Sequence, residues 1–157
     1  MNEDEIVHRV VEIARSEGLP DPAESDVIEE AERKIGFLLP PLLRRLYSEA
    51  ANGGFGPEGG ILGVPGGEWN GDWSDIVDIH SAVQKDPDDD TPAYLVWLYE
   101  WGCGIWSLID CRDPSGPMWA WDPNDGVEDA LFSSEMSFSD WIVRALDGAL
   151  EMPEKSS

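Results

Sequence analysis

The sequence predicts an α+β fold, with a central antiparallel sheet of about four to six strands flanked by helices. Helical periodicity fills the first fifty residues, three short aromatic and β-branched runs follow between 94 and 121, and an amphipathic segment comes last. Leu, Ile, Val and Phe account for 37 of 157 residues, enough apolar side chains for a folded core. We therefore expect one domain over residues 1–152 and a loose tail over 153–157.

Three helices are predicted before the sheet. Apolar residues at helical spacing predict the first, which should end at Gly18. The second is expected to start within 21–24, where Asp-Pro-Ala-Glu combines a cap, a proline at the first helical position and a glutamate three residues after the cap, and to close at Gly36. The third is expected to open at Pro40-Pro41 and to cover about 42–50.

The strand candidates lie in the middle of the chain. The first is the apolar run 61–64, which follows a glycine-rich turn. Three more follow in quick succession at 94–98, 105–110 and 118–121, separated by turn residues. This succession predicts an antiparallel meander.

Two further helices and one loop complete the predicted order. Ser74 is expected to cap a helix whose apolar residues recur over 76–83. The segment 86–92 contains four aspartates and two prolines, which predicts an exposed acidic loop. A last helix is expected to start at Ser137.

Charge is the strongest compositional feature. The chain has 10 basic and 33 acidic residues, a formal charge of −23, and residues 46–157 hold 22 of the acids but only 4 of the bases. Such a charge repels phosphate backbones and anionic lipids, so we expect neither nucleic acid nor a membrane as a direct partner. No apolar run approaches the roughly 18 residues of a membrane span, and the acidic N-terminus is unlike a secretory signal, so we expect a cytoplasmic protein.

The sequence predicts no catalytic residue, cofactor or metal site. The acidic segments 86–90 and 122–126 lack the ligand spacing of a calcium loop, and His8 and His80 lie apart from the two cysteines, which disfavours zinc. The glycines of 53–67 are followed by no Gly-Lys-Ser/Thr, which excludes a phosphate loop. Carboxylate pairs suited to hydrolysis are always available in so acidic a chain, so a hydrolase stays open as a third possibility.

The two cysteines, Cys103 and Cys111, are expected to be reduced thiols. Cys103 has no histidine or lysine near it in sequence that would lower its pKa. We therefore expect it to be a small buried residue rather than a nucleophile.

Eight tryptophans offer candidates for both the core and an interface. Trp97, Trp106 and Trp141 lie in apolar runs and are expected in the core, whereas strand alternation places Trp119 and Trp121 on one face that either the core or a binding surface could use. Loop tryptophans and the acidic loop are the candidate partner contacts. These candidates are Trp69, Trp73, Asp86, Asp88, Asp89 and Asp90.

Four segments in this order resemble the SMI1/KNR4 (SUKH) superfamily, over about residues 24–125. They are Glu29-Glu30-Ala31-Glu32 leading into Ile35-Gly36-Phe37-Leu38-Leu39-Pro40, the Leu46–Tyr47 helix running into Asn52-Gly53-Gly54, Trp101-Gly102-Cys103-Gly104, and the strand Ile105–Asp110 with its glycine-containing turn. The matched positions are expected to be structural. They are Gly36, Pro40, Asn52, Gly53, Gly54, Trp101, Gly102, Cys103 and Asp110.

The resemblance implies a non-enzymatic binding module with a sheet flanked by helices. Bacterial members are associated with polymorphic toxin systems as immunity proteins that neutralise a cognate toxin, often a nuclease. The leading hypothesis is therefore an immunity protein whose acidic surface binds a basic toxin domain. The alternative is an intracellular adaptor related to the fungal regulators of cell-wall assembly, and the negative charge could also serve solubility alone.

Overall fold

A computed structural model describes residues 1–155, within which the chain forms five α-helices and a four-stranded antiparallel sheet. The α+β prediction is confirmed. The elements are α1 Glu3–Glu17, α2 Ser25–Ile35, α3 Pro41–Arg45, α4 Ile76–Lys85, β1 Leu95–Gly102, β2 Ile105–Asp110, β3 Met118–Trp121, β4 Leu131–Ser133 and α5 Phe138–Leu146. Of the tail predicted over 153–157, residues 156–157 lie outside the described part.

The first helix ends, and the last helix begins, where local signals predict; the last helix stops at Leu146, so Ala149, expected on its inward face, lies outside it and is exposed. The side chain of Asn2 accepts a hydrogen bond from the Glu5 amide at 2.8 Å and caps α1, and Gly18 ends it in the left-handed conformation with φ of 65°. Ser137 caps α5 in the same way by accepting from the Asp140 amide. Both predictions are confirmed.

The second helix starts later than predicted. Residues 21–24 are not helical, and α2 begins at Ser25, although it ends at Gly36 as expected. The reason is tertiary: the Ala23 amide donates to the Tyr47 carbonyl at 2.8 Å, and the Asn52 amide donates to the Asp21 carbonyl at 3.2 Å. Backbone groups that a helix would use are thus bound to another part of the chain.

The third helix has its predicted extent, but it is not α-helical throughout. After Arg45 the chain changes to a π-helical turn, Leu46–Ala50, in which the Ala51 amide donates to the Leu46 carbonyl at 3.0 Å. The prediction of its inward face is confirmed, because the four side chains expected there are all buried. They are Leu42, Leu43, Leu46 and Tyr47.

The cap of the fourth helix lies one residue further along than expected. The carboxylate of Asp75 accepts a hydrogen bond from the Asp78 amide at 2.8 Å and caps α4. Ser74, the predicted cap, uses its hydroxyl to bond the Asp78 side chain at 3.1 Å. No helix in residues 1–155 is both long and apolar enough to cross a membrane.

The sheet is the predicted meander, with strand order β1-β2-β3-β4 and every neighbouring pair antiparallel. Strand β4, of only three residues, was not predicted. The prediction of a strand at 61–64 was wrong. This buried segment makes only one backbone hydrogen bond to the sheet, from the Leu62 amide to the Leu98 carbonyl. The Gly63 amide instead donates to Glu68 across a compact loop, so no ladder forms.

The sheet has two faces that contact different helices. Register places Trp97, Trp106, Trp119 and Trp121 on one face, which we call the tryptophan face. Helix α4 packs against β1, and on the opposite face the Tyr99 ring meets Trp141 of α5 at a centroid distance of 6.3 Å. The core tryptophans predicted from sequence, Trp97, Trp106 and Trp141, are all buried.

The prediction that Cys103 is buried was wrong. It lies exposed in the β1–β2 turn, where Gly102, Cys103 and Gly104 all have positive φ, of 107°, 54° and 75°. A turn in this conformation projects its central side chain away from the sheet into solvent, so burial was not available to it. Cys103 and Cys111 are both free thiols.

Candidate partner-binding face

Four residues face one another in a line across the tryptophan face. Glu100, Trp106, Trp121 and Leu131 are paired in register on β1, β2, β3 and β4. We call this line the cross-strand row. Three interstrand spacings make it about 14 Å long, and a different loop lies at each end.

The loop 68–73 lies at the β1 end of the row. The Asn70 amide side chain donates to the Glu100 carboxylate at 3.3 Å, and the backbones of Asn70 and Trp73 exchange two hydrogen bonds of 2.9 and 2.8 Å. Trp69 projects from this closed loop with 66% of its surface exposed. Trp73 is half-buried and packs against the core, so Trp69 is the better placed of the two predicted contacts.

Asn52 holds this loop against the rest of the protein. The side-chain oxygen of Asn52 accepts a hydrogen bond from the Val64 amide at 2.8 Å, and its backbone oxygen accepts one from the Glu68 amide at 2.9 Å. The backbone amide of Asn52 donates to the Asp21 carbonyl at 3.2 Å. Gly67 lies so close to Asn52 that an added Cβ would collide with it. The Asn-Gly-Gly segment therefore positions Trp69, although it makes no contact that a partner could use.

The acidic loop lies at the β4 end of the row and encloses a cavity of about 220 Å³. The Asp86 carboxylate accepts from the Asp88 amide at 2.9 Å, and that of Asp89 accepts from the Thr91 amide at 2.8 Å, which fixes the loop conformation. Among residues 1–155, the cavity is lined by carboxylates, a threonine and apolar groups, and by no basic side chain. The lining residues are Asp86, Asp88, Asp89, Asp90, Thr91, Trp121, Val127, Glu128 and Leu131.

The charge around the row is one-sided. Residues 86–135 contain twelve acidic residues and a single basic one, Arg112. The Arg112 guanidinium is bound to the buried Asp110 carboxylate at 2.8 Å and stacks 3.5 Å above the Tyr94 ring. Its charge is thus neutralised locally, and the carboxylates of the cavity face solvent without a cation of their own chain among the lining residues.

Two potentially reactive side chains, Cys111 and His80, make contacts with the protein interior. Burial raises the pKa of Cys111 to about 12, so its thiol stays protonated at neutral pH and is a poor nucleophile. The imidazole of His80 is within hydrogen-bond distance of the Ala93 carbonyl, 2.8 Å away. In the part of the chain that the structure describes, no three His, Cys, Asp or Glu side chains are grouped so that they could hold a metal ion.

The structure brings most of the sequence-predicted contacts to one face. Trp69 lies at one end of the cross-strand row, and the aspartates at positions 86, 88, 89 and 90 lie at the other. Three contributors were not singled out from sequence: Val127, which is 67% exposed, Glu128 and Glu100. Alternation had already placed Trp121 on this face, but only the unpredicted strand β4 brings Val127 beside it.

Several of the motif residues make contacts that shape the fold. Gly36 ends α2 with φ of 90°, and Pro40 precedes the first turn of α3. The indole N–H of Trp101 donates to the Ser107 hydroxyl at 2.9 Å across the β1–β2 hairpin. The buried Glu32 carboxylate accepts from the Leu39 amide at 2.8 Å and so ties α2 to the entry of α3.

Comparison with known families fits this arrangement. The family described as SMI1 / KNR4 family (SUKH-1) has a sequence model that matches residues 22–144. The chain belongs to this family. The SMI1/KNR4 match includes the loop 68–73, the acidic loop and all four strands, so the whole candidate face lies inside the family domain. A comparison with curated proteins finds no match.

Proposed function

We propose that this SMI1/KNR4-family protein is a non-enzymatic immunity protein that binds and neutralises a basic toxin domain. The toxin class that we propose is a nuclease. The observation that carries the proposal is the composition of the face described above. An exposed tryptophan lies at one end of the cross-strand row, and a cavity whose lining contains five acidic residues and no basic one lies at the other. Family membership supports a binding role, because the SMI1/KNR4 domain is generally a non-enzymatic binding module.

Electrostatics explains why such a face suits a nuclease. An enzyme that binds nucleic acid needs a positive surface for the phosphates. A negative face that covers this surface excludes the substrate and also accelerates association through complementary potentials. Exposed aromatic side chains add affinity at the centre of such contacts. A charge that served solubility alone would not require an exposed Trp69 beside it.

The test starts with affinity capture from a native lysate of the source cells at low salt, followed by elution in a salt gradient. Each basic protein recovered is then expressed alone and together with this protein in a heterologous host. We expect a stoichiometric partner that arrests growth alone and whose toxicity is suppressed by co-expression. A variant with Asn at positions 86, 88, 89 and 90 should suppress it poorly, whereas Glu5→Gln with Glu17→Gln, exposed on α1, should leave it unchanged.

Two results would overturn the proposal. Recovery of a housekeeping envelope or signalling protein without toxicity would favour the adaptor alternative. Suppression of toxicity that the four-aspartate variant retains in full would show that the acidic face is not the binding surface.

A further inference from the structure

We infer that the cavity beside Trp121 binds an arginine side chain presented by the partner protein. The inference rests on the proposed function, because it specifies which group of a basic partner the face recognises. It concerns one end of the cross-strand row, where the acidic loop, Trp121 and the segment before β4 enclose a cavity of about 220 Å³.

The walls of the cavity combine two kinds of group. Trp121, Val127 and Leu131 contribute apolar surface, while Asp88, Asp90 and Glu128 belong to an acidic rim. The Trp121 ring packs edge-to-face against buried Trp97, at a centroid distance of 5.4 Å and an interplanar angle of 64°. A fixed aromatic ring beside carboxylates is the environment in which a cation with an apolar stem binds best.

The arrangement of the carboxylates excludes the simplest alternative occupant. A divalent metal ion requires oxygens that converge on one point, and no such group of side chains exists within residues 1–155. Carboxylates that line one cavity without converging as a metal site instead suit a guanidinium, which is planar, distributes its donors in a fork and stacks on aromatic rings. Lysine, a compact and strongly hydrated charge, fits the Trp121 wall less well.

The basic side chains nearest in sequence do not occupy this position. Lys85 directly precedes the acidic loop, but it lines a different hollow together with Ile35 and Ala93. Arg112 is bound to Asp110 on the loop after β2. Lys155 acts on the Asp122 carboxylate and is not among the residues that line the cavity. The carboxylates in the lining are therefore left for a partner to neutralise.

The experiment uses the full chain labelled with ¹⁵N and titrated at low salt with acetyl-Arg-Arg-Arg-amide. The indole N–H signal of Trp121 is assigned by its loss in Trp121→Leu. We expect this signal to shift and saturate, and acetyl-Lys-Lys-Lys-amide to bind at least three-fold more weakly. Equal affinity for the two peptides, or shifts at the Trp69 indole without shifts at Trp121, would overturn the inference.

A second variant avoids any change to the core. Asp88→Asn together with Asp90→Asn alters two exposed side chains and should weaken arginine-peptide binding about ten-fold, at roughly three-fold for each exposed ion pair. The matched control, Glu5→Gln with Glu17→Gln, makes the same change of charge on α1 and should weaken it less than two-fold. Equal losses in both variants would indicate nonspecific attraction and would contradict a defined arginine site.

The inference can fail separately from the proposed function. If lysate capture yields a neutralised toxin but the arginine peptide does not shift the Trp121 indole signal, the immunity role is supported and the inference of an arginine site is wrong. If the peptide binds at Trp121 but no toxin is recovered, the site stands and its partner belongs to another class of protein.

Discussion

Asn52 is the residue through which the fold controls the position of Trp69, and its replacement by alanine should be costly. The side chain is 5% exposed, and its oxygen is the acceptor for the Val64 amide at 2.8 Å. Asn52→Ala leaves that buried N–H without a partner, which costs about 1–3 kcal/mol. Because the removed side chain also leaves unfilled space, we expect the free energy of unfolding to fall by about 2–3 kcal/mol.

Urea denaturation followed by tryptophan fluorescence measures this loss. With an m-value of about 2 kcal/mol/M for a domain of this size, the midpoint should move down by about 1–1.5 M urea. Asn124→Ala is the matched control, since Asn124 is exposed and its removal should cost no more than about 0.5 kcal/mol. Equal midpoints for the two variants would refute the role given to Asn52.

Three further predictions follow from single side chains. Arg112→Ala should lower the urea midpoint of unfolding, because it leaves the buried Asp110 carboxylate without its cation, and Arg112→Lys should recover only part of that loss. Burial raises the pKa of Cys111 from 9.0 to about 12, so between these pH values the folded state keeps a proton that the unfolded state releases. The free energy of unfolding should therefore fall between about pH 9 and 12, and it should fall less in Cys111→Ala. At pH 8 a thiol reagent should modify only the exposed Cys103 rapidly. Trp69→Ala should change thermal stability little, since the indole is 66% exposed, yet weaken partner binding measurably by calorimetry.

Elements with local signals were predictable from sequence. The caps of α1 and α5 and the glycines that end α1 and α2 act within a few residues of each helix end. The three longer strands also carry strong local patterns of aromatic and β-branched residues.

Elements that depend on distant partners were not predictable in this way. Residues 21–24 have every local feature of a helix start, but their backbone groups form hydrogen bonds with Tyr47 and Asn52, which follow α3. The apolar run 61–64 looks like a strand, but Asn52 and Glu68 take up its hydrogen-bonding groups. Strand β4 has only three residues and exists because β3 pairs with it.

Several residues of the candidate face were predictable from sequence, but their arrangement on one face was not. Composition indicated the acidic loop, and an aromatic side chain among glycines and polar residues indicated Trp69. That both lie along the row from Glu100 to Leu131 depends on strand register, which a single sequence does not specify. The cavity beside Trp121 depends on the same register.

The most direct test of the central claim is the association rate of the captured basic partner, measured across a range of ionic strength. We expect fast association at low salt that slows steeply as salt is added. Replacing the aspartates at 86, 88, 89 and 90 by asparagine keeps the oxygens that cap the loop but removes four charges. This variant should associate more slowly and with a flatter dependence on salt, and an unchanged rate at low salt would contradict binding through the acidic face.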